Sequence, residues 1–138
     1  LGAQWNYAST AAADLDGETA GTDSPGTGHA ELLLDDAQTE VQYEVSYANL
    51  IGEITEAHFH IGEPGEIGLP RFELEVTPSP MTGSWDLTPT DVEELFADRI
   101  YVVLHTTAYP FGEIRGNVGL EATARDAATW GRVKALFD

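Results

Sequence analysis

The residues of this sequence that could do chemistry are mostly histidines. There are four, and there is no cysteine. His58 and His60 stand two residues apart in Ile54-Thr55-Glu56-Ala57-His58-Phe59-His60-Ile61, a run with the character of a strand. Successive strand side chains point to opposite faces, so the two imidazoles share one face. At a rise of about 3.3 Å per residue their backbones lie about 6.6 Å apart, near enough to converge on one metal ion. Ala57 and Phe59 point the other way and would anchor the strand. His105 comes at the end of a second apolar run, Ile100 to Thr106, while His29 shares a face with Glu31 and reads as a surface residue. Without a thiolate, nitrogen and oxygen must hold any metal, and imidazole suits copper, zinc, iron and nickel alike. Three neutral histidines with an open position would fit copper in either oxidation state or a zinc hydrolytic site. The competing account is that His58 and His60 merely fill polar positions on a strand.

No serine, cysteine or lysine nucleophile sits in a recognisable setting, and no phosphate loop occurs. The charge balance excludes other classes. Against 24 Asp and Glu stand 6 Lys and Arg, a net charge of -18. Such a surface repels nucleic acid and anionic lipid, so neither is expected as a partner. Its self-repulsion fades at molar salt, where the screening length falls to about 3 Å, so a halophilic source is expected, with a merely acidic secreted protein as the other account. No apolar run approaches the length of a membrane span, and no membrane insertion is expected. The chain opens Leu1-Gly2-Ala3-Gln4 without an initiator methionine, as a processed form would, and an extracellular or cell-surface location is expected.

The elements that must position these histidines read as short strands. A first strand is expected over residues 3–8, then a long loop to Gly28, rich in Ala, Gly, Thr, Ser and Asp. A second strand runs from His29 to Leu34. Val41, Tyr43, Val45 and Tyr47 then alternate with Gln42, Glu44 and Ser46, the pattern of a half-buried antiparallel strand. The histidine strand ends in Gly62-Glu63-Pro64-Gly65-Glu66-Ile67-Gly68, too rich in glycine to continue a ladder. Phe72, Leu74 and Val76 alternate with Arg71, Glu73 and Glu75 in a further strand, and a short one lies around Ser84 to Leu87. Thr88-Pro89-Thr90-Asp91 carries a cap, a proline at the first helical position and an acid three residues after the cap. A helix to about Ala97 is expected, with Val92, Leu95 and Phe96 toward the core. Ile100 to Thr106, apolar on both faces, suits a central strand. The last strand runs from Glu113 to about Leu120, Ile114 and Val118 inward and Glu113, Arg115 and Asn117 outward. Ala127, Trp130, Val133 or Lys134, and Phe137 fall at helical spacing, which predicts a C-terminal helix despite Gly131. Many short strands and few helices indicate one all-β sandwich or barrel.

Three motifs in order, Ala57-His58-Phe59-His60 with the glycine-rich turn after it, Leu104-His105-Thr106, and Gly112-Glu113-Ile114-Arg115-Gly116, resemble the CHRD (chordin-type) domain. The helix before the His105 strand and the Gly-Thr-Gly strand from Gly26 also look like it. The resemblance covers about residues 3–120, giving a domain over 1–122 and an extension over 123–138, expected to be helical and packed on it. Where that family usually has a Glu-Val-Pro-Pro run, this chain has Trp5-Asn6-Tyr7. The same order of motifs is similar, more distantly, to the copper site of copper/zinc superoxide dismutases, which are Greek-key antiparallel β-sandwiches. That likeness implies His58, His60 and His105 as ligands of one copper ion per chain, Arg115 as the catalytic residue that attracts the anion, and superoxide or another small anion as partner. The loop that holds zinc in that family has no equivalent between Gly62 and Pro70, so no zinc site is expected, and the fourth copper ligand stays open. Arg115 has a competing role in an ion pair with Glu113 or Glu56, and Glu113 could instead orient a ligand histidine. A metal-free adhesion or scaffold module of the cell envelope and a copper store or carrier without turnover remain the alternatives.

Overall fold

The computed structural model describes residues 7–123. Nine strands, β1 (Tyr7–Asp16), β2 (Thr27–Asp35), β3 (Glu40–Ala48), β4 (Ile54–Ile61), β5 (Leu69–Glu73), β6 (Met81–Asp86), β7 (Ile100–Thr106), β8 (Ile114–Asn117) and β9 (Gly119–Thr123), pair antiparallel, with two short helices, α1 (Gly17–Ala20) and α2 (Pro89–Phe96). The order β5-β4-β7-β8-β1-β2-β3-β6, with β9 also on β1, makes a nearly closed all-β barrel or sandwich. β8 meets β1 through one ladder pair, Asp16 and Arg115, and β9 continues the pairing with β1 over Ser9 to Ala12. Chain crossings after β3 and after β5 bring β6 back beside β3 while β4 and β5 pair on the other half, a Greek-key path.

The core lies between the two halves. Tyr43 of β3 meets Phe59 of β4 edge to face at 5.6 Å, and Trp85 of β6 stacks on Phe59 at 5.4 Å and on Phe72 of β5 at 5.5 Å. Phe59 and Ala57 are fully buried there, as the alternation of the histidine strand requires. Truncating Phe59 would cost about 3–5 kcal/mol, so the strand carrying His58 and His60 is fixed from behind by one of the most expensive side chains to remove. α2 begins as its sequence dictates. Thr88 Oγ1 accepts from Asp91 N, the Asp91 carboxylate accepts from Thr88 N, and Pro89 takes the first turn.

Several boundaries differ from the expectation. The first part of the segment read as a loop, through Asp16, belongs to β1, whose inward residues Ala11, Ala13 and Leu15 are buried, and α1 follows it directly. Small alanines give a strand little hydrophobic contrast, so its period of two does not stand out. β5 covers Leu69–Glu73 rather than the Phe72 to Val76 alternation. A bulge between Phe59 and His60 shifts its register, and the ladder closes with Leu74 N donating to Ala57 O at 2.9 Å. β6 starts earlier, at Met81, because it pairs with β3 along Glu40–Val45. The last strand is two strands, since Val118 turns its N–H to Ile100 O and the chain passes from β7 to β1. Phe96 is 40% exposed and does not join the core, whereas Val92 and Leu95 do. Asp91 of the same helix is buried, bidentate to Arg71 at 2.8 Å on both oxygens. The expected C-terminal helix falls outside the described residues.

Candidate metal centre

β4 and β7 are neighbours, with His60 opposite Tyr101 and His58 opposite Val103. Since Val102 and Leu104 face the core, Tyr101, Val103 and His105 share the outer face with His58 and His60. The three histidines meet there. Ring centroids are 5.6 Å apart for His58 and His60, 5.3 Å for His58 and His105, and 6.2 Å for His60 and His105. One ring nitrogen from each lies within 4.8 Å of the others.

Loops set which nitrogen that is. His60 Nδ1 donates to Gly68 O at 3.1 Å, and His105 Nδ1 donates to Pro110 O at 2.9 Å. A carbonyl only accepts, so both rings carry their proton on Nδ1 and keep a lone pair on Nε2. His58 turns Nε2 toward the Glu73 carboxylate at 3.9 Å. The remaining nitrogens, His58 Nδ1, His60 Nε2 and His105 Nε2, are buried and have no hydrogen-bond partner among the described residues. Buried polar atoms are nearly always satisfied, so three orphans on one cluster stand out. Burial holds the His60 pKa below the ordinary imidazole value. The Gly68 hydrogen bond opposes this, and His58, His105 and Arg115 add to it by repulsion. A neutral ring is the form that ligates. The residues therefore fit a metal ion held by three imidazoles, and among the described residues no fourth His, Asp or Glu joins the three.

The glycine-rich turn has a specific task. A Cβ on Gly68 would stand 1.8 Å from Ile61 O, so only glycine lets the turn fold back onto β4. That return brings Gly68 O to His60 and Gly68 N to Tyr101 Oη at 2.6 Å. Sequence reading found the turn but not its role as the support of His60.

Arg115 is buried, at 8% exposure, and lies over Tyr101 with Cζ 3.5 Å from the ring centroid. His60 stacks on Tyr101 as well, 4.9 Å between centroids. Neither expected ion pair forms. Glu113, expected on an outer face with Arg115, is fully buried and serves another purpose. Its carboxylate accepts from Ser24 Oγ at 2.6 Å, Ile51 N at 2.6 Å, Gly52 N at 3.1 Å and Thr106 Oγ1 at 2.8 Å. It thus ties the end of β7 to two loops and orients no histidine. Burial works against its charge, but those four hydrogen bonds prevail and lower its pKa. On β8, Gly116 passes so close to β1 that a Cβ would lie 2.3 Å from Asp14 O.

Each part of Gly112-Glu113-Ile114-Arg115-Gly116 from Glu113 onward is thus accounted for: a loop clamp, a core residue, a guanidinium beside the cluster and a close approach. The CHRD domain family model matches residues 11–118. The chain belongs to the CHRD domain family. That match runs from Ala11, within β1, to Val118 and contains all three clustered histidines and Arg115. No curated protein matches this CHRD domain.

Proposed function

We propose that this CHRD domain is an exported copper-binding module that takes one ion per chain on His58, His60 and His105. The observation that carries the reading is the set of three buried, unpartnered ring nitrogens facing one another. An all-imidazole donor set suits copper and gives no hold for hard cations such as calcium or magnesium, which require oxygen. Copper bound there would supply one-electron redox chemistry. The chain's own residues do the rest. Gly68 O and Pro110 O hold two rings in the ligating tautomer, and the core side chain Phe59 fixes the strand between. Arg115 places a positive charge beside the cluster, which would favour approach of superoxide or another small anion. Dismutation of superoxide is the activity such an arrangement would support, and the -18 charge makes molar salt its favourable medium.

Metal-free protein titrated with Cu(II), in parallel with the His58→Ala/His60→Ala/His105→Ala variant, tests the assignment. One equivalent for wild type and none for the variant is expected. Equal uptake by both would remove the site and leave a metal-free envelope module as the better account. Superoxide decay with copper-loaded wild type and with Arg115→Ala then separates turnover from storage. A rate no faster than that of the histidine variant assigns the domain to copper storage or delivery.

A further inference from the structure

A cavity of about 420 Å³ adjoins the histidine cluster. Its wall is mainly apolar, with Ile67, Pro70, Val103 and Phe111, and its polar side is formed by His60, Tyr101, His105 and Arg115. We propose that this cavity binds a small organic carboxylate, its charged head on Arg115 and its apolar body between Ile67 and Phe111.

Charge makes the first argument. Of the three arginines among the described residues, Arg71 is paired with Asp91, and Arg99 is paired with Glu63 and Glu94. Arg115 is the most buried of the three and has no carboxylate partner among the described residues, in a chain with 24 acidic side chains. Its Nε and Nη2 are buried without a hydrogen-bond acceptor there. A buried guanidinium normally has an anion, and Tyr101 supports only its face. An anion arriving from solution would restore the balance.

Shape makes the second argument. A cavity of about 420 Å³ lies within the range of about 300–1,000 Å³ typical of sites for small organic ligands. An inorganic anion would leave most of it empty. Ile67 and Phe111 are 96% and 97% exposed on its rim, apolar surface that a ligand's body would cover. The wall and the guanidinium belong to the protein without any ion, so the proposal goes beyond the copper reading and does not depend on it. His60 and His105 border both places, which sets the carboxylate beside the metal position.

Chelator-treated protein titrated with benzoate, benzamide, chloride and inorganic phosphate, followed by amide NMR shifts and calorimetry, tests this. Benzoate should move the resonances of Val103, Phe111 and Arg115 and bind about tenfold or more tightly than benzamide, the size of a charge-assisted hydrogen bond. Arg115→Gln should erase that preference, and Phe111→Ser, at an exposed position, should weaken benzoate severalfold without changing the fold. Should Arg115→Gln fail to fold, Arg115→Lys and Phe111→Ser decide. No binding of benzoate, equal binding of benzamide, equal competition by chloride or phosphate, or indifference to Phe111→Ser each overturns the proposal. Wild type that takes copper but not benzoate refutes this proposal alone, and wild type that takes benzoate but not copper refutes the metal reading alone.

Discussion

His29 and His60 are the same residue type on the same sheet, and their surroundings treat them in opposite ways. Both ring nitrogens of His29 face carboxylates, Asp14 at 2.7 Å and Glu31 at 2.6 Å. Burial acts downward on its pKa, but the hydrogen bonds and charges of Glu31 and Asp14 outweigh it and raise the value. Glu31 is itself pushed up by burial and by Glu121, so part of the imidazolium's charge serves to keep that acid ionised. His60 has a carbonyl on one nitrogen, nothing on the other, and a pKa held down by burial. At His29 the two carboxylates favour the imidazolium, whose charge offsets part of theirs. At His60 burial and a loop carbonyl in place of a carboxylate favour the neutral ring, the form that can ligate.

The sharpest way to break this comparison is to exchange the two histidines' fates. His60→Ala should abolish stoichiometric copper uptake, because two imidazoles remain where three are needed, while His29→Ala should leave the equivalence at one ion. Competition with a chromogenic chelator reads both. Loss of uptake in His29→Ala would show that carboxylate-clamped histidine also ligates and would end the distinction.

Glu113 offers the next largest effect. Gln at this position keeps the shape but meets four donors with one oxygen and an NH2 group, so buried donors go unsatisfied at a cost of about 2–4 kcal/mol. Because the clamp holds the end of β7, amide exchange should speed up around His105 more than around His29. Acid melts supply the sign. The folded pKa of Glu113 lies below the ordinary 4.5, so its stabilisation is complete above that value and is lost as pH falls through the lowered one. Glu113→Gln should flatten that part of the acid limb. An unchanged limb would assign the acid sensitivity to other carboxylates.

What the sequence made legible, and what it hid, follows the same line. The histidine strand, the apolar Ile100 to Thr106 strand and the capped helix were readable because each is a local pattern: a period of two, a run apolar on both faces, and Thr88 with Asp91. β1 was hidden by alanine. Glu113 stands just before β8, at a position that a period-two reading of a longer strand assigns to solvent, and the approach of Ser24, Ile51 and Gly52 covers it. The clustering of His58, His60 and His105 could be expected from motif order. Their tautomers could not, because Gly68 O and Pro110 O reach the rings through loop geometry that leaves no mark in composition.

The smallest predicted effect separates local from global electrostatics. Imidazole resonances of metal-free protein should titrate above the ordinary 6.5 for His29 and below it for His60. The linked stabilities have opposite signs. What His29 contributes is fully present below 6.5 and lost as pH rises through its raised value, whereas the neutral His60 is favourable above 6.5 and that advantage is lost as pH falls through its lowered value. Salt distinguishes the causes. The -18 charge acts upward on both His29 and His60 in dilute buffer, and screening removes that common part. The Asp14 and Glu31 contacts of His29 are local, and with 44% of its side chain exposed they lie where ions can reach. His60 owes its shift first to burial, which salt does not relieve. From low to molar salt the His29 value should therefore fall by more than that of His60, narrowing the gap between them. Two values that fall in parallel would mean that the overall field, and not the two carboxylates, sets His29 apart.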